Sequence, residues 1–220
     1  MSRRQPPPDR AQASGHYFDS DPSVGSAPRR VRLRLDDLDL ELDTDRGVFS
    51  HGRVDTGTEL LLRKAEPLRC GPGDHVLDLG CGTGVMAMVL AHRAPDCTVW
   101  AVDVNERARA LCAANARRLG VVNVRCVEPD DVPPEVRFTE IWSNPPIRIG
   151  KDALHALLTH WLGRVTDQGR ATLVVQRHLG ADSLAGWLTA QGFDVSRLAS
   201  SQGYRVLALQ PGRIDDHPTA

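Results

Sequence analysis

The chain has 220 residues and a formal net charge of −1, with 41% hydrophobic and 25% charged residues. This composition is normal for a soluble globular domain, and a net charge so near zero excludes a global field that would attract nucleic acid. No apolar run approaches the roughly 20 residues that a membrane span requires, and the N-terminus shows no secretory signal. We therefore expect a cytoplasmic protein without a membrane partner.

Cysteine spacing argues against a metal centre. The cysteines are widely separated and form no C-x-x-C pair, so neither a disulfide framework nor a zinc site is predicted. We expect most of the thiols to be small buried groups. They are Cys70, Cys81, Cys97, Cys112 and Cys126.

The N-terminal region begins with a Pro- and Arg-rich tail, residues 1–14, that we predict to be disordered, as is the C-terminal segment 213–220. From Val31 the apolar residues alternate with polar ones on either side of "DD", and this period of two predicts a β-hairpin. Its first half, "RRVRLR", is basic and the following "DDLDLELDTD" is acidic. A polyanionic partner would therefore have to use a local patch.

The segment "GVFSHGRVDTGTELLLRKAEPL" connects the hairpin to the rest of the chain. Its glycines predict a loop, and its apolar run predicts a helix that begins near Thr58, with Thr56 or Thr58 as the N-cap. We assign residues 15–70 to an N-terminal extension and residues 71–212 to the main domain.

After Pro72 strand and helix patterns alternate along the chain. The strand-like segments are "HVLDLG", "TVWAVDV", "VNVRCV", "FTEIWSN", "RATLVVQRHL", "FDVSRLAS" and "GYRVLALQ". A very short turn separates the final two, so the last strand is predicted to run antiparallel. We therefore predict an α/β fold with a mostly parallel, seven-stranded, Rossmann-like sheet that helices cover on both faces.

The first strand of this sheet ends in "DLGCGTGV", a G-x-G-x-G loop in which Gly80, Gly82 and Gly84 surround Cys81. Such a loop lets the backbone lie against a ligand, and the following helix directs its free N–H groups at that ligand. The spacing differs from the G-x-G-x-x-G of dinucleotide enzymes. Asp78, two residues earlier, suits a cationic amino-acid head rather than a pyrophosphate.

Acidic residues follow the next two predicted strands. Asp103, beside Val104, can accept hydrogen bonds from the two hydroxyls of a ribose, and Asp130 can meet an adenine amino group. Each aspartate alone is more simply explained as a strand-end cap or a solvated turn. At the carboxyl ends of successive strands, together with the glycine loop, they favour S-adenosylmethionine as the cofactor.

These motifs carry a resemblance to a known family. "DLGCGTGV", "AVDVN" and "SNPPI" resemble the cofactor-binding and catalytic motifs of class I S-adenosylmethionine-dependent methyltransferases. The wider pattern of "HYF", "GVFSHGRVDTGTELLL", "NPPIRIGK" and "GYRVL", over about residues 16–210, resembles single-domain relatives of the guanine-N2 methyltransferases of small-subunit ribosomal RNA. The resemblance implies a class I methyltransferase sheet and an RNA partner, either ribosomal RNA or the small ribosomal subunit. Separately, the spacing of the cysteines and histidines predicts no metal.

Within "SNPPI", Asn144 comes at the end of the fourth predicted strand, next to the expected cofactor. Its side-chain oxygen and the backbone carbonyl of Pro145 can accept both hydrogens of an exocyclic amine, which orients the nitrogen toward the methyl group. Pro145 and Pro146 hold these acceptors rigid, and the proton can leave after transfer, so no strong general base is needed. The simpler interpretation is that Asn144 caps a turn and the prolines end a strand.

The residues after the prolines are candidates for substrate binding. Ile147 stands where many amine methyltransferases carry an aromatic residue, so stacking on a base would have to come from Phe49 or Tyr204. Arg148 and Lys151 are candidates for the phosphates of an unstacked nucleotide, with a solvated face as the alternative. Weaker candidates are Arg53, Arg177 and Arg205.

The segment "FSHGRVDTGT" precedes the glycine loop, as a short helix-entry element does in related methyltransferases. By that resemblance Phe49, Asp55 and Thr58 would close over the methionine end of the cofactor. A glycine-rich loop with a helix cap explains these residues equally well.

Two other functions remain open. NPP motifs also serve glutamine amides of release factors and small-molecule amines, so the same chemistry could act on another substrate. An RNA-binding module with a vestigial cofactor pocket would be non-catalytic, but decay would be expected to alter some motif residues. All of these are intact: Asp78, Gly80, Gly82, Asp103 and Asn144.

Overall fold

The computed structural model describes residue 25, residues 27–48 and residues 52–212. The predicted tails, residues 1–14 and 213–220, lie outside the described residues, and so do Phe49 and the "HYF" segment. Among the helices of the described part, none combines the length and the apolar character needed to cross a membrane.

The helices and strands follow the predicted order. The hairpin strands are β1, Arg29–Arg34, and β2, Asp39–Thr44. The other strands are β3, His75–Leu79; β4, Thr98–Val102; β5, Val124–Val127; β6, Phe138–Ser143; β7, Val165–Gln176; β8, Phe193–Ser201; and β9, Tyr204–Pro211. The helices are α1, Thr56–Lys64; α2, Val85–Arg93; α3, Glu106–Arg118; α4, Lys151–Leu162; and α5, Ala181–Ala190. Short 3-10 helices follow β5, β6 and β7 at Pro129–Asp131, Ile147–Ile149 and Arg177–Leu179.

The main sheet has the strand order β5-β4-β3-β6-β7-β9-β8. The first five of these strands run parallel to one another, and β9 runs antiparallel to both β7 and β8. This arrangement confirms the predicted seven-stranded, Rossmann-like sheet with an antiparallel last strand and a separate N-terminal hairpin. Because the chain builds outward in both directions from β3 and β6, the carboxyl ends of these two strands form the switch point where ligands bind in such folds.

Two apolar layers cover the sheet, one on each face. The first joins the hairpin, α1, α2 and α3, and it includes Trp142 from β6. The second joins α4 and α5 and includes Trp161. Both tryptophans are buried, whereas Trp187 is half-buried and stacks on His155 with ring centroids 3.8 Å apart.

The cysteines are free thiols, and all of them lie in or against the first of these layers. Three of them are buried and two are half-buried, in agreement with the expectation that most are small core groups. Within the described part of the chain, no group of histidine, cysteine or acidic side chains is arranged to hold a metal ion.

On the outer face of the hairpin, the basic strand is paired with the acidic one. Nε of Arg30 donates to Asp43 at 3.0 Å, and Arg32 forms an ion pair with Asp39. These two arginines of "RRVRLR" are therefore neutralised by their own partner strand, which reduces the basic character that the sequence segment shows by itself.

In the amino-terminal halves of β6 and β7, a buried ionic cluster anchors the chain that follows α1. The side chains of Arg170 and Glu140 are 1% and 0% exposed, and Nη2 of Arg170 lies 2.7 Å from Oε1 of Glu140. Arg170 also pairs with Glu66 and donates to the carbonyl of Pro67 at 2.9 Å. The backbone N–H of Arg69 donates to Oε1 of Glu140 at 3.1 Å, so the segment after α1 is bonded to both strands.

Candidate active site

A cavity of about 510 Å³ opens at the carboxyl ends of the parallel strands, at the switch point between β3 and β6. Its wall combines the glycine loop, the end of β4, the start of α1 and the segment after β6. The predicted site residues in the wall are Gly80, Cys81, Gly82, Asp103, Asp55, Thr58, Asn144, Pro145, Pro146, Ile147, Arg148, Arg53 and Tyr204. Residues as far apart in the sequence as Arg53 and Tyr204 thus meet in one place.

The glycine loop is pinned to the end of β4. The backbone N–H groups of Gly80 and Cys81 donate to the carbonyl of Val102 at 2.8 and 3.0 Å. Gly84 has a φ of 85°, and a Cβ at this position would overlap the Cys112 sulfur of α3. Glycine is therefore required here both for the left-handed backbone and for the close approach of α3.

Asp78 lies beneath the glycine loop rather than in the cavity wall. It is fully buried; Oδ2 accepts from the backbone N–H of Ala87 in α2 at 2.8 Å, while Oδ1 has no hydrogen-bond partner. Burial raises the pKa of this carboxyl to about 8, with the nearby charge of Asp103 acting in the same direction. The unpaired oxygen gives this position an unused acceptor next to the loop.

Asp103 holds the other side of the loop. Its Oδ2 accepts from the backbone N–H of Gly82 at 2.9 Å, and its Oδ1 accepts from that of Asn105 at 2.9 Å. Burial raises the pKa of Asp103 even though these hydrogen bonds oppose the shift. The carboxylate therefore fixes the relative positions of the first two motifs.

Asn144 is bonded to the first turn of α1. Its Nδ2 donates to Oδ1 of Asp55 at 2.8 Å and to Oγ1 of Thr58 at 3.2 Å. Oδ1 of Asp55 also accepts from the backbone N–H of Thr58 at 2.9 Å, so Asp55 is the N-cap of α1. The prediction that Thr56 or Thr58 caps this helix was wrong, because the carboxylate one position earlier already satisfies the free N–H group.

The prolines form a tight turn after β6. The carbonyl of Pro145 accepts from the backbone N–H of Ile147 at 2.8 Å, and that of Pro146 accepts from Ile149 at 3.1 Å. The Oγ of Ser143 donates to the carbonyl of Leu79 at 2.7 Å and joins this tip to the end of β3. The backbone N–H of Ile147 thus occupies one of the two lone pairs of the Pro145 carbonyl.

Tyr204 closes the cavity from the start of β9. Its ring lies against Gly57 in the first turn of α1, where an added Cβ would come within 2.7 Å of two ring carbons. Its hydroxyl accepts from Nε2 of Gln176 at 2.8 Å. Gln176 lines the cavity at the end of β7, and the rule that ligands meet strand carboxyl ends would have found it.

The remaining predicted residues lie outside the cavity wall. Val104 is 49% exposed, and Asp130 is exposed in the 3-10 helix after β5. Lys151 is exposed at the start of α4, and Arg177 is exposed after β7. Arg205 pairs with Asp182 of α5. Sequence reasoning also missed Asn105, which lines the cavity and caps α3.

The fold and this cavity together define a Rossmann-like methyltransferase, as the sequence motifs indicated. The chain belongs to the methyltransferase small domain family, whose model matches residues 39–208. It is 34% identical over 197 residues to the uncharacterized protein YbxB of Bacillus subtilis, an alignment that covers 88% of this chain and 97% of YbxB.

Larger relatives carry a specific name. The chain is 40% identical over 129 residues to ribosomal RNA small subunit methyltransferase C of Pseudomonas putida, covering 57% of this chain and 37% of that protein. It is 34% identical over 179 residues to the protein of the same name from Pseudomonas aeruginosa, covering 73% of this chain and 52% of that protein. The chain therefore spans about half or less of these relatives.

A solved structure shows the same fold. The T. thermophilus 16S rRNA N2 G1207 methyltransferase RsmC, in complex with AdoMet and guanosine, superposes with a TM-score of 0.67 at 23% sequence identity. The match covers 86% of this chain and 52% of that chain. The sequence-based resemblance to the methyltransferases of this name is thereby confirmed at the level of the family and the fold.

Proposed function

We propose that this protein transfers a methyl group from S-adenosylmethionine to an exocyclic amine of a nucleobase, and that the amine is N2 of guanine in small-subunit ribosomal RNA. The observation that carries the proposal is that one cavity joins the glycine loop to the Asn-Pro-Pro tip of β6. A cofactor on the loop and an amine at the tip would then be neighbours.

The residues present fit S-adenosylmethionine. The backbone of Gly80 and Gly82 lines the cavity, and the Asp103 carboxylate stands beside it at the end of β4, where a ribose can be bound. The unpaired Oδ1 of Asp78 is buried beneath the loop, where a cationic amine bound on the loop would favour the ionised form of this carboxyl. When bound, the cofactor supplies a methyl group on a positively charged sulfur.

The tip of β6 positions the amine. The side-chain oxygen of Asn144 and the free lone pair of the Pro145 carbonyl accept its two hydrogens, and the proline turn keeps both acceptors in place. Held in this way, the nitrogen presents its lone pair to the methyl group, and the surplus proton leaves to solvent after transfer. Ile147 and Tyr204 provide apolar contact for the base.

The nucleic-acid substrate is supported by the cations at the cavity and by the relatives. Arg53 and Arg148 line the cavity, and Lys151 is exposed nearby in sequence at the start of α4, where they can contact phosphates that flank an unstacked base. Ribosomal RNA is the substrate in the names of the larger relatives. With such a substrate the protein works beside ribosomes, in the cytoplasm.

The test compares substrates directly. Purified protein and radiolabelled cofactor are incubated with naked small-subunit rRNA, with assembled small subunits, or with a release factor that offers a glutamine amide. We expect label in rRNA and, by mass mapping, N2-methylguanine that is missing from rRNA of a strain lacking the protein. Label confined to the release factor, or no missing modification, would overturn the RNA assignment.

A further inference from the structure

The amide group of Asn144 has a fixed orientation in this structure. Both contacts of its Nδ2 come from α1: Oδ1 of Asp55 at 2.8 Å and Oγ1 of Thr58 at 3.2 Å. Since nitrogen and oxygen occupy opposite branches of a planar amide, the oxygen is directed away from α1. Asn144, Asp55 and Thr58 all line the cavity, so this orientation determines what the cavity presents to a substrate.

The two partners on α1 differ in what they can enforce. A hydroxyl both donates and accepts, so Thr58 alone would tolerate either orientation of the amide. An ionised carboxylate only accepts, so a flipped amide would set the Asn144 oxygen against Oδ1 of Asp55 and leave both without a hydrogen. Asp55 is therefore the residue that decides the orientation, and Thr58 supports it.

Asp55 is itself held in place by the helix that it caps. The same Oδ1 accepts the backbone N–H of Thr58 at 2.9 Å, and a carboxylate is favoured at a helix N-terminus by the helix dipole. Gly57 lies in the first turn of α1 with the ring of Tyr204 against it, which leaves that turn little room to move. The first turn of α1 thus holds the Asp55 carboxylate in place, and β6 holds Asn144 in place opposite it.

We propose that Asp55 is a positioning residue: by holding Nδ2 of Asn144, it turns the amide oxygen toward the substrate and makes the site select a group that donates hydrogens, such as an amine. This inference rests on the proposed methyl transfer, and it gives Asp55 and Thr58 a role different from the cofactor contact that the sequence resemblance implies. A substrate that presents an acceptor at this point is excluded, because it would face another acceptor.

Two substitutions separate the possible roles of Asp55. Asp55→Ser keeps an N-cap oxygen for Thr58 but is too short to reach Asn144, whereas Asp55→Asn keeps the shared oxygen and removes the charge. The backbone N–H of Thr58 holds the oxygen of the new asparagine inward, so that oxygen still accepts from Asn144. If Asp55 orients the amide, Asp55→Asn keeps the function and Asp55→Ser loses it. If instead the charge of Asp55 binds the cofactor, both variants lose cofactor affinity.

The kinetic test measures kcat and cofactor affinity for both variants. We expect Asp55→Ser to lower kcat by about 10- to 100-fold, and Asp55→Asn to lower it by no more than about threefold. The Kd for S-adenosylhomocysteine should change by less than about twofold in both. Thr58→Val should give a smaller loss that Thr58→Ser restores. An unchanged kcat in Asp55→Ser, or a parallel loss of cofactor affinity in both Asp55 variants, would overturn the proposal.

A second measurement does not depend on activity. Nitrogen-15 spectra of the protein without substrate report the side-chain amide of Asn144, which is assigned by its disappearance in Asn144→Ala. We expect its protons to exchange slowly in the native protein and in Asp55→Asn, and at least about tenfold faster in Asp55→Ser. If the protein methylates no RNA but shows this pattern, the proposed substrate fails and the orientation stands. Equal exchange rates in all three proteins would overturn the proposed orientation of the Asn144 amide and would leave the proposed substrate unaffected.

Discussion

The two ends of β6 hold the region of α1 through different kinds of side chain, charged toward the amino end and neutral at the carboxyl end. At its amino end, Glu140 forms a buried ionic cluster with Arg170 that fastens the chain just after α1. At its carboxyl end, the neutral side chain of Asn144 bonds to the first turn of α1 and is half-buried at the cavity. Bonds from β6 and the residue after it thus hold α1 and the segment that follows the helix. The bonds toward the amino end come from a buried charged cluster, and those at the carboxyl end come from a neutral amide that lines the cavity.

We expect the charged cluster to contribute mainly to stability and the amide of Asn144 to contribute mainly to catalysis. Burial raises the pKa of Glu140, while the charge and hydrogen bonds of Arg170 oppose that shift, so the cluster is stable only as long as both partners are present. An amide carries no net charge and costs far less to leave partly exposed, which suits a position whose side-chain oxygen is proposed to face a substrate. Substitutions at the two ends should therefore affect different measurements.

The largest effect is expected at the buried end. Glu140→Gln keeps the shape of the side chain but leaves Arg170, which is 1% exposed, with less charge compensation. We expect the free energy of unfolding to fall by about 3–5 kcal/mol, measured by urea denaturation. Turnover per folded molecule should stay close to that of the native protein.

A double substitution provides the control for this end. Replacing Glu140 and Arg170 together by apolar residues of similar volume should recover most of the lost stability, because no uncompensated charge remains. A double variant as unstable as Glu140→Gln would mean that the hydrogen bonds to Pro67 and Arg69, rather than the charges, hold this region.

Asn144→Ala tests the open end of the strand. It removes an acceptor of the substrate amine, so we expect kcat to fall by about 10²–10³-fold, an effect typical of a lost preorganised polar group. Cofactor affinity by calorimetry and the urea midpoint should change little. Unchanged turnover would remove Asn144 from the mechanism, and a large loss of stability would show that the two ends of β6 do not differ as described.

Gly57→Ala tests whether the first turn of α1 is as confined as the contacts indicate. In an open helix this substitution would be stabilising, since alanine has the higher helix propensity. Here the new Cβ would lie 2.7 Å from the Tyr204 ring and 3.0 Å from Oδ1 of Asp55. We expect a loss of about 1–3 kcal/mol in stability, together with a lower kcat.

Gly186 in α5 supplies a matched control for that experiment. A Cβ there meets nothing within 4 Å, so Gly186→Ala should stabilise the protein by roughly 1 kcal/mol through helix propensity. If both alanine variants are stabilised equally, then Tyr204 yields easily and the confinement of Asp55 is smaller than the structure indicates.

The sequence was sufficient for the fold because its signals are local. Each strand and helix has its own period, and the glycine loop and the Asn-Pro-Pro tip are contiguous motifs whose place in a parallel sheet follows from strand order. The contact between Asp55 and Asn144 was not predictable, since 89 residues separate them and neither motif specifies a partner. Only the tertiary fold, in which α1 packs against β7 and β9 beside the end of β6, brings them together.

The same limit explains the predicted residues that lie outside the cavity wall. Because Val104 and Asp130 follow strands of the sheet, the sequence correctly predicts the edge of the sheet at which they lie. It does not determine which way their side chains face, since the regular alternation of a strand stops where the strand ends. The arginines of β1 show a related effect. Their neutralisation depends on the register with β2, which pairs Arg30 directly with Asp43 and brings Asp39 diagonally within reach of Arg32.

The smallest effects are expected at the exposed mouth of the cavity. Arg148→Ala and Lys151→Ala should each weaken RNA binding by about tenfold or less and should each reduce the slope of log K against log salt by about 1, because each would release one phosphate contact. Arg137→Ala is the matched control, since Arg137 is an exposed arginine at the opposite, amino end of β6. If all three variants keep the native slope, the RNA approaches from another side and the two cations are only solvated charges. A reduced slope for Arg148→Ala alone would direct the RNA over the proline turn and away from α4, which would place the flanking phosphates on the same side of the sheet as Asn144.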